Sequence, residues 1–157
     1  MTLKSLYIKR PLAPADNDRI VEMMAGFDFE REVELHMTLI YSMREVDWSL
    51  PVFQPMEDPL EIVPQDIAFD RFGPHLVLTM RCPEIEARHH ALVAAGAHFG
   101  WPDFNAHISL GLDPEGAVQD YPDLSGICRL HFEGEVRGLA NKAESKVKPP
   151  EEEPEML

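Results

Sequence analysis

Residues 3–42 and residues 75–112 of this chain follow the same order of elements. Each copy runs from an alternating apolar segment through a proline-initiated break and a helical stripe to a second alternating segment that carries a histidine. The spacing repeats as well, with 26 residues from Arg10 to His36 and 25 from Cys82 to His107. An internal duplication is the economical explanation. It predicts two related halves in which strands and helices alternate, a mixed α/β or α+β architecture.

In the first copy, Leu3–Arg10 alternates as a strand, with Leu6 and Ile8 on one side and Ser5, Tyr7 and Lys9 on the other. Pro11 and Pro14 interrupt it, and Asp16 reads as the N-cap of a helix to about Ala25, striped by Ile20, Met23, Met24 and Phe27 and stopped by Gly26. Glu34–Ser42 is the histidine strand, alternating Leu35, Met37 and Leu39 with His36, Thr38 and Ile40. Arg44–Pro59, with three prolines and no helical period, reads as a loop or flap. Strands follow at Leu60–Val63, Asp66–Phe72 and His75–Cys82. Pro83 opens the second helix, where Glu84 stands four residues before Arg88, Ile85 and Leu92 mark the stripe, and Gly96 is a C-cap. Asn105–Leu112 is the second histidine strand. A last strand, Cys128–Arg137, alternates Cys128, Leu130, Phe132 and Val136 against Arg129, His131, Glu133 and Glu135. The domain is therefore expected over residues 1–138, with 139–157 as a polar, acidic, low-complexity tail.

The histidine strands contain His36-Met37-Thr38-Leu39 and His107-Ile108-Ser109-Leu110. Residues two apart on a strand share a face, so His36 projects with Thr38 and His107 with Ser109, while their neighbours turn into packing. If the halves pair about a pseudo-twofold axis, two imidazoles and two hydroxyls converge on one cleft. That set suits phosphodiester cleavage without a metal. One neutral imidazole accepts the proton of an attacking hydroxyl, and the other, protonated, donates to the departing oxygen. The two hydroxyls donate to non-bridging oxygens that gain charge in the transition state. One such motif occurs often by chance; two, each after a matching strand–helix unit, do not.

Charge restricts the partner. The formal net charge is −14, of which residues 139–157 contribute −2. Affinity for long DNA or RNA needs clustered cations to displace counterions, so a long nucleic acid is not expected, whereas a small anion needs only a few local cations. No apolar run approaches the roughly 18 residues that cross a bilayer, and MTLKSLYIKR lacks a signal-peptide core. Cys82 and Cys128 are too few for a disulfide framework. A cytoplasmic protein with no membrane association is expected.

At the paired His-x-Thr/Ser motifs, over about residues 3–137, the sequence resembles the two-histidine (2H) phosphoesterases. That resemblance implies an α+β bilobal fold, two pseudo-symmetric halves of antiparallel sheet with outer helices around a central cleft. It makes His36 and His107 the acid/base pair and Thr38 and Ser109 the phosphate-binding hydroxyls, with no metal or other cofactor. The runs HMTLIYSMRE and CPEIEARHHALVAAGA, ahead of FNAHISL, are similar to the phage anti-CBASS phosphodiesterases, which degrade cyclic di- and trinucleotide immune messengers such as cGAMP. This implies a small cyclic nucleotide substrate, opening of a 3′–5′ linkage by the neighbouring 2′-hydroxyl, and no obligate protein partner.

Five further residues are candidates for holding substrate. Tyr7 and Lys9 share a strand face and can stack on a base and contact phosphate; a solvated sheet face is the plain alternative. Glu135, on the polar side of the last strand, can accept from a base amino group or stand as a solvent-facing charge. Tyr41 can cap a base, and Trp101, six residues before His107, can wall the cleft; packing for the first and anchoring a loop for the second are the plain alternatives. Arg44 and Arg71 are possible contacts to a second phosphate. His75, His89, His90 and His98 show no zinc spacing and read as packing or surface histidines. Two other functions compete: an RNA 2′,3′-cyclic phosphodiesterase, and a module that sequesters nucleotides without cutting them.

Overall fold

The computed structural model describes residues 2–140. The chain forms β1 (Leu3–Pro11), α1 (Pro14–Met23), β2 (Glu30–Arg31), β3 (His36–Asp47), a 3-10 turn (Pro51–Phe53), β4 (Leu60–Ile62), β5 (Gln65–Phe72), β6 (His75–Arg81), α2 (Pro83–Ala94), β7 (His107–Leu112), β8 (Leu130–Phe132) and β9 (Val136–Gly138). The main sheet has the order β5-β6-β7-β3-β1-β9, with β2 added to β7; β4 and β8 form a separate two-stranded sheet. The pairings are antiparallel.

The duplicated grammar is visible in that order. The histidine strands β3 and β7 are central neighbours, flanked by β1 and β6, the opening strands of the two copies. Residues paired across an antiparallel ladder share a face. On one face Met37, Leu39, Leu76, Leu78, Met80, Ile108 and Leu110 are buried in one apolar cluster with Ile20 and Met24 of the first helical unit and Ile85 and Leu92 of the second. The other face carries the polar members of the two motifs.

Several expectations are corrected by packing. Helix α1 begins at Pro14 with Ala13 as N-cap. Asp16 lies inside the first turn instead, and its Oδ2 accepts from the His131 main-chain N–H at 2.7 Å and lies 2.9 Å from His131 Nδ1. Strand β3 continues to Asp47, beyond the expected start of a loop. The stretch after it is no free flap. Arg137 donates to the carbonyls of Trp48 and Phe53, Arg88 to those of Val52 and Gln54, and Arg10 to that of Asp58. A guanidinium fork supplies several donors at once and so holds irregular backbone that no ladder can satisfy. Glu84 is not the partner of Arg88, which reaches across to Glu135.

The expected last strand is two. β8 pairs with β4 and β9 with β1, and between them the chain passes close to Glu57 at Gly134, where an added Cβ would lie 2.4 Å from the Glu57 carbonyl oxygen. The alternation changes phase there. Leu130 and Phe132 are buried, but beyond Gly134 it is Glu135 that is buried while Val136 is exposed. Ala140 is buried and donates its N–H to Ser5 Oγ; the rest of the expected tail, 141–157, lies outside the described residues.

Candidate active site

Strands β3 and β7 meet at Met37 and Ile108. One step either way along an antiparallel pair sets His36 against Ser109 and Thr38 against His107. Each histidine thus faces the hydroxyl of the other copy, as well as carrying its own two residues along the strand. The flanking strands continue the rows: Lys9 of β1 pairs with Thr38, Thr79 of β6 with His107, and Val77 with Ser109.

Both histidine strands are bulged at the same place. Opposite β1, Ile8 pairs with Ile40 but Lys9 with Thr38, leaving Leu39 unpaired in the register. Opposite β6, Leu76 pairs with Gly111 but Val77 with Ser109, leaving Leu110 in the same position. The extra residue is the leucine three places after each histidine. A bulge re-aims side chains beyond it and leaves backbone groups outside the ladder. Here each leucine carbonyl has an external donor: the His89 ring at 2.7 Å from Leu39, and the Glu32 N–H at 2.8 Å from Leu110. The first bulge reverses the expected phase. Ile40 is buried, and Tyr41, paired with Tyr7, joins the motif face.

The imidazoles sit in contrasting contacts. His36 Nε2 lies 3.1 Å from the Tyr7 hydroxyl. Burial, then the charges of Lys9 and His107, lower its pKa from 6.5 to about 4. His107 Nδ1 lies 2.9 Å from the Asn105 carbonyl, an acceptor only, so this nitrogen holds the proton and Nε2 keeps its lone pair when the ring is neutral. Burial lowers the His107 pKa, the Asn105 hydrogen bond opposes that, and His75 adds to it. Ser109 is buried, and its Oγ has no hydrogen-bond partner among the described residues. A buried hydroxyl without a partner is costly unless something else takes its hydrogen bond.

The structure brings Tyr7, Lys9 and Tyr41 to this face. Lys9 Nζ lies 5.6 Å from the centre of the Tyr7 ring, and Tyr7 and Tyr41 meet edge to face at 5.4 Å. Trp101 lies in the wall of a pocket of about 270 Å³ that also includes Thr38, Tyr41, Phe72, Phe99, Phe104 and His107. Glu135 is not brought there. Its side chain is fully buried and held by Arg88 through two 2.9 Å contacts, and its Oε1 also accepts from the Met56 N–H. Arg71 binds Asp113 and the Val118 carbonyl, and Arg44 lies 3.5 Å from His98.

Sequence reasoning missed His89 and the phenylalanines around it. His89 is buried, stacks on Phe104 at 3.9 Å and 11°, and meets Phe99 edge to face at 4.5 Å. Its place between Ile85 and Leu92 on one helical face was the available signal, because a polar ring on a buried stripe requires a partner. Phe72, edge to face with His107 at 4.7 Å, sits at a strand end that carries no motif. Among the described residues no group of three or more His, Cys, Asp or Glu is placed to share an ion, and no helix is long and apolar enough to cross a membrane.

A family model described as "Anti-CBASS protein Acb1" matches residues 4–143. No curated protein matches the chain by sequence. Among solved structures, Escherichia coli LigT complexed with NADP+ is similar at a TM-score of 0.63 and 19% identity, covering 87% of each chain. LigT complexed with 3′-AMP gives 0.62 and 18% over the same coverage. LigT complexed with ATP gives 0.60 and 16%, covering 94% of this chain and 93% of the other. At these identities the likeness is one of fold: an α+β antiparallel sheet with two helices, as in the 2H phosphoesterases.

Proposed function

The chain belongs to the Acb1 family of anti-CBASS proteins, a phosphodiesterase of the two-histidine class, and from that premise we propose that it opens 3′–5′ linkages of cyclic di- and trinucleotide messengers such as cGAMP. The observation that carries this reading is the Met37–Ile108 register, which sets two imidazoles and two hydroxyls on one sheet face. The unpartnered Ser109 hydroxyl supports it, since a phosphate oxygen is an acceptor of the right kind. LigT, in the structures that share this fold, is complexed with 3′-AMP, NADP+ or ATP, which accords with a small nucleotide in the cleft.

In the proposed reaction the ribose 2′-oxygen attacks the adjacent phosphorus while one imidazole takes its proton. The bond from phosphorus to the 5′-oxygen breaks, and the other imidazole gives that oxygen a proton. The first product is a linear chain with a 2′,3′-cyclic phosphate and a 5′-hydroxyl, and the protons balance. Both histidines are held toward the neutral form before substrate arrives. The general base is therefore ready, and the diester's negative charge is what favours protonation of its partner. Thr38 and Ser109 donate to the non-bridging oxygens, and Lys9, opposite Thr38, adds positive charge beside them. Tyr7 orients His36 through its hydroxyl, and its ring, edge to face with Tyr41, offers a face to a base. No role in substrate binding is proposed for Glu135, whose oxygens are occupied.

The test is incubation of 3′,3′-cGAMP with the wild-type protein and with His107→Ala, in EDTA, followed by chromatography. Linear product from the wild type alone is expected, and a substrate lacking the attacking 2′-hydroxyl should resist. No product from the wild type would overturn the messenger reading and leave RNA 2′,3′-cyclic ends as the substrate to assay. Arrest by EDTA would overturn the two-histidine mechanism.

A further inference from the structure

We propose that the pocket walled by Tyr41, Phe72, Phe99, Trp101, Phe104 and His107 is a second base site, which receives a purine of the substrate and donates to it from Trp101 Nε1. The proposal rests on the messenger reading for the identity of the substrate, though not for the pocket itself. Tyr7 and Lys9 approach the motif face from β1, on the other side of Thr38. This pocket instead includes the His107 side of the same pair, so a ligand whose phosphate lies at Thr38 and His107 can place a base on either flank.

Three observations point to a base. The volume, about 270 Å³, lies at the lower end of the roughly 300–1,000 Å³ of small-ligand pockets, a size that suits a single ring system. Its walls are mainly aromatic, and base–aromatic stacking rewards any flat π-surface, most of all a bicyclic one. Trp101 Nε1 is buried and has no hydrogen-bond partner among the described residues. An indole N–H can only donate, so the missing partner is an acceptor, which purines offer at ring nitrogens. The wall is also held in place: Phe104 lies flat on His89, which is anchored to the Leu39 carbonyl and meets Phe99 on its edge. A preformed stacking wall lowers the ordering cost of binding.

The test uses tryptophan fluorescence and steady-state kinetics of the full chain. Of the two tryptophans, Trp48 is packed against Arg137 and Lys4 and donates to the Ser5 carbonyl. Quenching by adenosine or guanosine monophosphate that disappears in Trp101→Phe therefore reports this pocket. Cytidine monophosphate should quench far less. With a cyclic dipurine substrate, Trp101→Phe should raise KM about fivefold, the loss of one hydrogen bond, and Trp101→Ala about tenfold or more, with kcat little changed. Unchanged KM in both variants, or equal quenching by purine and pyrimidine, would overturn the proposal. If the wild type opens no cyclic dinucleotide, the messenger reading falls, and the fluorescence titration still decides the pocket.

Discussion

Met37 and Ile108 are direct partners across the seam between β3 and β7, and their pairing sets each catalytic-motif histidine opposite the other motif's hydroxyl. The two apolar side chains point into the core, both fully buried. The core contact that joins the halves is thus also the registration device for the site. A slip of one residue would put the two imidazoles on opposite faces of the sheet.

His36→Ala and His107→Ala are each expected to lower kcat by about 10²–10⁴-fold, the usual worth of a positioned acid or base. Thr38→Val and Ser109→Ala should each cost about 10²-fold through lost charge stabilisation. Ser109→Ala should leave thermal stability unchanged or raised, because it removes a buried polar group without a partner. The double histidine variant should lose little more than either single one. Initial rates of linear-product formation, with melting curves as the folding control, check the set.

His89 holds the bulged Leu39 carbonyl and lies flat on Phe104, which makes a positioning role testable. His89→Ala leaves a buried carbonyl without its 2.7 Å donor and a hole beneath Phe104. It should destabilise the protein by about 2–4 kcal/mol and weaken purine binding, raising KM more than it lowers kcat. His89→Gln retains a donor but no stacking surface. It should recover stability more than KM. A purely structural role predicts that the two recover together, and chemical denaturation beside kinetics on both variants separates the cases.

Arg88 and Glu135 form a buried ion pair that ties α2 to the residue before β9, and Arg88 also holds the segment after β3. Arg88→Ala strands a buried carboxylate and should cost about 3–5 kcal/mol. Arg88→Met with Glu135→Leu should recover part of that loss, because no charge is then left unpaired. Denaturant midpoints of the single and double variants check the coupling.

Stability should fall as the pH drops from about 6.5 to 4. In that window an unfolded histidine, at 6.5, holds a proton that folded His36 refuses down to about 4. The unfolded state therefore binds more protons, and stability rises with pH. Burial depresses His89 and His107 in the same direction. His36→Gln should flatten part of this limb, by on the order of 2 kcal/mol between the two ends. Unfolding midpoints at pH 4, 5.5 and 7 measure it. For the same reason, substrate binding near pH 7 should take up a proton, seen as a buffer-dependent heat in calorimetry.

Much of this was legible in the order of residues. Period-two alternation around His36-Met37-Thr38 and His107-Ile108-Ser109, each after a proline break and a helical stripe, specifies strands, faces and duplication, because these depend on local backbone geometry alone. The paired motifs likewise supply the two imidazoles and two hydroxyls on which the acid/base reading is proposed. What local pattern could not carry was any feature set by a partner distant in the chain. Leu39 and Leu110 look like ordinary strand residues, and only the ladders with β1 and β6 show them as bulges, the first of which sends Tyr41 to the site and Ile40 to the core. Glu135 alternates with its neighbours as a surface charge would. Gly134 against Glu57 and Arg88 from α2 reverse that assignment, because a carboxylate can be buried only where a cation from elsewhere in the chain meets it. The sequence by itself determined both helices, most of the strands and the candidate reactive groups; the tertiary structure decided where strands end and which groups meet, since register, burial and ion pairing are properties of contacts between segments and not of any one segment.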